Sequence, residues 1–222
     1  MTPDPCSAPP FPRLSQMSIW GSKRMTKFFV LSRDYSQSIY AFLENGEAGD
    51  SLRPPVCPKC GEELAPSSDG PNAVYTIKRS LLGDMISDGI SVGVTRRFAD
   101  AYHSSDLVGF EIAEWPLRLR DSSRDYFLAI PAATCTLVDE MEAGVVVHEL
   151  RGCDFCRVMS IDKIERLVID ETTWHGEDVF CCGNLFSEII VTQEFVDFVA
   201  LNQFTNFHFV QSDRFHFDYR RK

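Results

Sequence analysis

VTRRFADAYHSSDLVGFEI, residues 94–112, lies without a gap over VTQEFVDFVALNQFTNFHF, residues 191–209, when the chain is displaced by 97 positions. Val94 meets Val191, Thr95 meets Thr192, Phe98 meets Phe195, Asp100 meets Asp197 and Phe110 meets Phe207. Five identities exceed the roughly one that average composition gives over such a stretch. Leu107 and Ile112 meet Phe204 and Phe209, so apolar character is kept, and Gly109 meets Asn206. Each copy spells the same local structure. A threonine N-cap comes first, then an apolar face at i, i+3, i+4 (Phe98, Ala101, Tyr102), then a residue suited to a left-handed turn, then an outgoing strand. The spacing predicts a helix–strand unit that occurs twice.

Around these units the chain reads as short strands. MTKFFVLS from Met25, AVYTI (73–77), YFLAI, GVVVHEL, RVMSI, RLVI, DVFCC and SEIIV are extended by their β-branched and aromatic content. LVGFEIAEWPLRL is a strand interrupted at Pro116. The predicted fold class is α+β: mixed or antiparallel sheets with a few short helices, in two related halves. Residues 1–24, rich in Pro and Ser and without period, are expected to be a disordered extension, with Met25 as an alternative start. The first half is expected over 25–152 and the second over 153–222.

The cysteines follow the same displacement. Cys57 and Cys60 in VCPKCGEEL form a CxxC pair, and Cys153 and Cys156 in GCDFCRV form another 96 residues later. A zinc knuckle aims two thiolates at one metal and supplies half of a tetrahedral site. Two knuckles in equivalent places predict one zinc-ribbon-like four-cysteine site joining the halves, with Cys57, Cys60, Cys153 and Cys156 as ligands. The long intervening chain is tolerable because closure cost grows only logarithmically with length. A rival reading makes CPKC a redox pair of the thioredoxin type, with a thiol–disulfide oxidoreductase as the function. It requires a helix after the motif, and GEELAPSSDGP is interrupted by Pro66 and Pro71. Cys6 falls in the N-terminal extension. Cys135, Cys181 and Cys182 lack metal spacing and are expected as small core residues.

The composition narrows the remaining classes. With 44% hydrophobic residues and 17 Phe, the core does not depend on metal alone. No run of apolar residues is long enough to predict a membrane span, and the first residues do not form a signal peptide, so a reducing cytoplasm is expected. The net charge is -10; setting aside Arg13, Lys23, Arg24 and Asp4 leaves 19 basic and 31 acidic residues, or -12, on 25–222. Such acidity disfavours nucleic acid, and with it the reading as a zinc-ribbon nucleic-acid adaptor, and suits a basic protein partner. No nucleophile elbow, HExxH or P-loop occurs, so no catalytic centre is expected. TTWHGEDVF offers Trp174, His175 and Asp178 as a candidate partner-binding cluster, Trp being a good contact anchor.

Taken in order, CPKCG, CDFC, ERLVIDETTWHGEDVF and the closing IIVTQEFVDFVALNQFTNFHF resemble a bacterial family of double-CxxCG immunity proteins of polymorphic toxin systems. The resemblance covers roughly residues 57–210, with one departure: CDFCR lacks the glycine of the motif. It implies a small cytoplasmic protein that binds and neutralises a cognate toxin, with no chemistry of its own. Basic toxins that attack nucleic acid would complement the acidity.

Overall fold

A computed structural model describes residues 26–31, 42–45, 56–57, 59–63, 74–78, 82–87, 92–119, 124–134, 136–153 and 158–218. The expected N-terminal extension lies outside them. The fold is mixed α+β and mostly strand, with two α-helices among the described residues.

The two helices form where the caps predict. α1 (Arg96–His103) follows β5 (Val92–Thr95), and α2 (Gln193–Leu201) follows β12 (Leu185–Thr192). Thr95 and Thr192 are extended, and each hydroxyl accepts from the N–H three residues on, that of Phe98 or Phe195. Each helix-leading strand is one arm of a hairpin, with β4 (Met85–Ser87) or β11 (Val179–Cys182) as the other. Beyond the helices, β6 (Phe110–Pro116) and β13 (Phe209–Gln211) lead out.

Two further strands complete the large sheet, β1 (Phe28–Leu31) and β8 (Tyr126–Ala133). The order is β13-β1-β12-β11-β8-β5-β4, with β6 also on β8, and only the β8–β11 pairing is parallel. This sheet contains the same four-strand arrangement twice, β6-β8-β5-β4 and β13-β1-β12-β11. The registers agree as well. Thr95 faces Tyr126 as Thr192 faces Phe28, and Ile112 faces Ala129 as Phe209 faces Leu31.

Alternation along the strands gives the sheet two apolar faces. Leu31, Val94, Cys181 and Val191 point to the helix side, where Phe98, Tyr102, Phe195 and Val199 cover them. The equivalent residues Phe98 and Phe195 meet with ring centroids 6.3 Å apart. Val30, Phe180, Cys182 and Ile190 point the other way, onto Val138, Ile161, Ile164 and Leu167.

That second face carries two three-stranded sheets. One has the order β2-β3-β7, from β2 (Phe42–Asn45), β3 (Val74–Lys78) and β7 (Arg118–Leu119). The other has β9-β10-β14, from β9 (Val146–Arg151), β10 (Val158–Ile164) and β14 (Phe217–Asp218). Both begin with an antiparallel pair, β2–β3 and β9–β10; the third strand is parallel in the first sheet and antiparallel in the second. RLVI forms no strand: Ile169 makes one isolated bridge to Val138. The outgoing strand of the second unit is β13 alone, because Thr205 and Asn206 before it bond elsewhere.

Candidate metal centre

Each CxxC pair lies in sequence between the paired strands of one small sheet, Cys57 and Cys60 between β2 and β3, Cys153 and Cys156 between β9 and β10. The first pair sits on a folded-back turn. Val56 bridges Glu63, the Cys57 N–H donates to Glu62 O at 2.7 Å, and the Gly61 N–H donates to Cys57 O at 2.8 Å. Gly61 has φ +77°, a backbone state that costs glycine nothing. Cys153 follows directly on Gly152, whose φ of +80° turns the chain away from the end of β9. The turn and the end of β9 are also joined by an ion pair, Arg151 Nη1 to Glu62 Oε1 at 3.4 Å.

These two turns bring Cys57, Cys60 and Cys153 together. Their three sulfurs lie within 4.8 Å of one another, the one such cluster of metal-ligating side chains among the described residues. Cys57 Sγ and Cys153 Sγ are 3.9 Å apart across 96 residues of chain. Sulfurs at two corners of a tetrahedral zinc site with ~2.3 Å bonds are about 3.8 Å apart, whereas a disulfide requires about 2.05 Å. The spacing is too long for a disulfide and would fit two ligands of one metal. Cys57 is buried, Cys153 half-buried and Cys60 exposed, so the cluster opens to solvent on one side. Three thiolates in this arrangement can hold a soft or borderline metal ion. Cys156, the fourth expected ligand, lies outside the described residues.

The other sequence candidates, Trp174, His175 and Asp178, lie between the Ile169 bridge and β11. Asp178 is buried, and its carboxylate serves the fold: Oδ1 accepts from the Thr192 hydroxyl at 2.8 Å and Oδ2 from the Val108 N–H at 3.1 Å. Trp174 packs edge-on against Phe28 at 5.3 Å, and its indole N–H donates to Glu177 O at 3.0 Å. In the equivalent place of the first four-strand arrangement, the Tyr126 hydroxyl donates to Gly83 O at 2.6 Å. Phe28 holds the register of Tyr126 but lacks a hydroxyl, and Trp174 provides the donor. His175 is half-buried. Cys181 and Cys182 are buried in opposite faces of the sheet, and burial pushes the Cys182 thiol well above its ordinary range. Cys6 and Cys135 lie outside the described residues.

One structural group escaped the motif reading. Asp84 is the counterpart of Asp178: it accepts from the Thr95 hydroxyl at 3.0 Å, and from the Thr205 N–H and hydroxyl at 2.9 Å each. Arg97 Nη2 adds an ion pair at 2.8 Å. A signal was present, an aspartate ahead of each capping threonine, but its distance to the threonine differs, 11 residues in one case and 14 in the other.

No helix of the described residues is long and apolar enough to cross a membrane. A scan against protein-family models finds none that matches this chain, and a search of curated proteins finds no match either.

Proposed function

We propose that Cys57, Cys60, Cys153 and Cys156 hold one zinc ion that ties the β2–β3 side of the molecule to the β9–β10 side, and that the protein so closed acts by binding another protein. The observation that carries the metal is the 3.9 Å approach of Cys57 and Cys153 from turns 96 residues apart, with Cys60 beside them. Metal binding of this kind contributes on the order of 10 kcal/mol to the folded state.

The repeated sheet arrangement supports the reading of two related halves. In chain order, β1, the first CxxC, β5–α1 and β6 are followed by β8, the second CxxC, β12–α2 and β13. If the second half is taken to begin at β8 rather than at the expected residue 153, the leading strands are exchanged: β1 pairs with β12 and β13, while β8 pairs with β5 and β6. Such an exchange interlocks the halves within the large sheet, and the zinc locks them again on its far side.

The partner reading rests on the acidity and on the resemblance to double-CxxCG immunity proteins. A chain of net charge -10 attracts a basic protein and repels phosphate backbones. The function proposed is therefore immunity-like, non-catalytic neutralisation of a basic toxin. Co-expression with each product of the adjoining genes, scored for growth protection and co-purification, tests it. Protection that depends on the intact cysteine set supports it; metal-loaded protein that protects against none of them and co-purifies with none contradicts it.

A further inference from the structure

We infer that the cysteine cluster is also a site of oxidative modification, at which a peroxide converts Cys57 and Cys153 into a disulfide that replaces the metal as the tie between the two sides. This rests on the proposed metal site for its starting state, and on the geometry of the sulfurs for its product. Peroxide reaches the cluster from its open side, where Cys60 is exposed and Cys153 half-buried. The Cys153 thiolate attacks one peroxide oxygen: an S–O bond forms, the O–O bond breaks, and with one proton the other oxygen leaves as water. Cys57 has its sulfur 3.9 Å away and is buried, so it meets the sulfenic acid rather than the oxidant. Its thiolate attacks the Cys153 sulfur, forming S–S and releasing hydroxide, which takes a proton to become water. Two thiolates lose two electrons, one peroxide gains them, and the metal is left with half its ligands and departs.

The alternative products are the intra-motif disulfides, Cys57–Cys60 and Cys153–Cys156, and the other cross-motif links, Cys60–Cys153 among them. Each intra-motif link closes a very short loop, and a link through Cys60 is exposed; strained or exposed disulfides are easily reduced. The Cys57–Cys153 link closes a loop of 96 residues, and the entropic gain of a cross-link grows with loop length. It is the product that persists. The consequence is a molecule held shut in either state, by metal when reduced and by a covalent bond when oxidised.

The experiment starts from full-length protein whose zinc content has been measured. Hydrogen peroxide is added with a chromogenic zinc chelator present, and non-reduced digests are mapped by mass spectrometry. The expected result is release of about one zinc per chain in step with a peptide pair joining Cys57 to Cys153. That pair survives Cys60→Ser, is lost in Cys153→Ser, and is reversed by thiol reductant. Thermal unfolding of the oxidised protein is insensitive to chelator, while that of the reduced protein is sensitive. Zinc release with any links other than Cys57–Cys153, whether within a CxxC motif or between Cys60 and Cys153, or with sulfinic acid alone, overturns the inference and leaves the metal site standing. Protein that contains no zinc at the outset contradicts the metal site, and the same digest then decides whether the Cys57–Cys153 link forms without it.

Discussion

The Asp84 carboxylate accepts both the backbone N–H and the hydroxyl of Thr205, 121 residues further on, at 2.9 Å each. With its other oxygen it accepts from the hydroxyl of Thr95, the cap of α1. Asp178 does the same in mirror fashion, holding Thr192, the cap of α2, and reaching the backbone of Val108 beyond α1. Each aspartate thus fixes the start of one helix and the exit of the other.

Removing either aspartate leaves buried donors without acceptors. Asp84→Ala and Asp178→Ala are each expected to cost about 3 kcal/mol, read as the shift in urea unfolding. The exposed Arg97 contributes little of that at Asp84, because solvent screens its charge. Thr95→Ala and Thr192→Ala, which remove the caps, cost about 1–2 kcal/mol each.

Asp84 also sets a pH limit. Burial pushes its carboxyl up, but the hydrogen bonds from Arg97, Thr205 and Thr95 together outweigh this and hold it below the usual 3.8. A lowered folded-state value means the stabilisation is complete above the unfolded value and is lost as pH falls through the folded one. Stability measured from pH 5 downward should fall less steeply in Asp84→Asn than in the wild type. Equal slopes would contradict this.

At the alkaline end the same logic applies to Tyr102 with the opposite sign. Burial, ahead of every other influence, raises its phenol from 10.0 to about 12, and its oxygen accepts the Phe110 N–H at 2.9 Å. The raised value stabilises the fold below about pH 10, and that stabilisation disappears as pH climbs from 10 towards 12. Tyr102→Phe should remove this alkaline sensitivity while costing about 1–2 kcal/mol at neutral pH, because the Phe110 N–H loses its acceptor.

Gly109 and Asn206 occupy the same place after the two helices and are predicted to differ in tolerance. Gly109 has φ +124°, and a Cβ there would run into the carbonyl oxygen of Val179. Gly109→Ala should cost at least about 3 kcal/mol from backbone strain and displacement of β11. Asn206 has φ +69° and donates from Nδ2 to Met85 O at 2.6 Å. Asn206→Gly keeps the backbone and loses the bond to Met85 O, at about 1 kcal/mol.

Both helices were legible because their information is local: Thr95 to Gly109, and Thr192 to Asn206, each place a cap, an apolar stripe and a left-handed residue in one short run of chain. The partnership of Cys57 with Cys153 was legible for another reason, that the displacement separating the motifs nearly equals the one separating the helices. The pairing of β1 with β12 and β13 was not. FFVL against YFLA is four residues long, too short to stand out, and strand partners are chosen by sheet packing rather than by sequence proximity. The loop composition around Trp174 likewise gave no sign that the ring packs on Phe28, a contact across 146 residues. The tie from Asp84 to Thr205 spans a similar distance and left no local pattern.

The most direct test of the account is zinc per chain, by elemental mass spectrometry on protein purified without a metal-affinity tag, for wild type, Cys153→Ser and Cys156→Ser. The account predicts about one zinc in the wild type, and loss of both zinc and thermal stability in each variant. Full zinc retention in Cys153→Ser, or a wild type without metal, would contradict it.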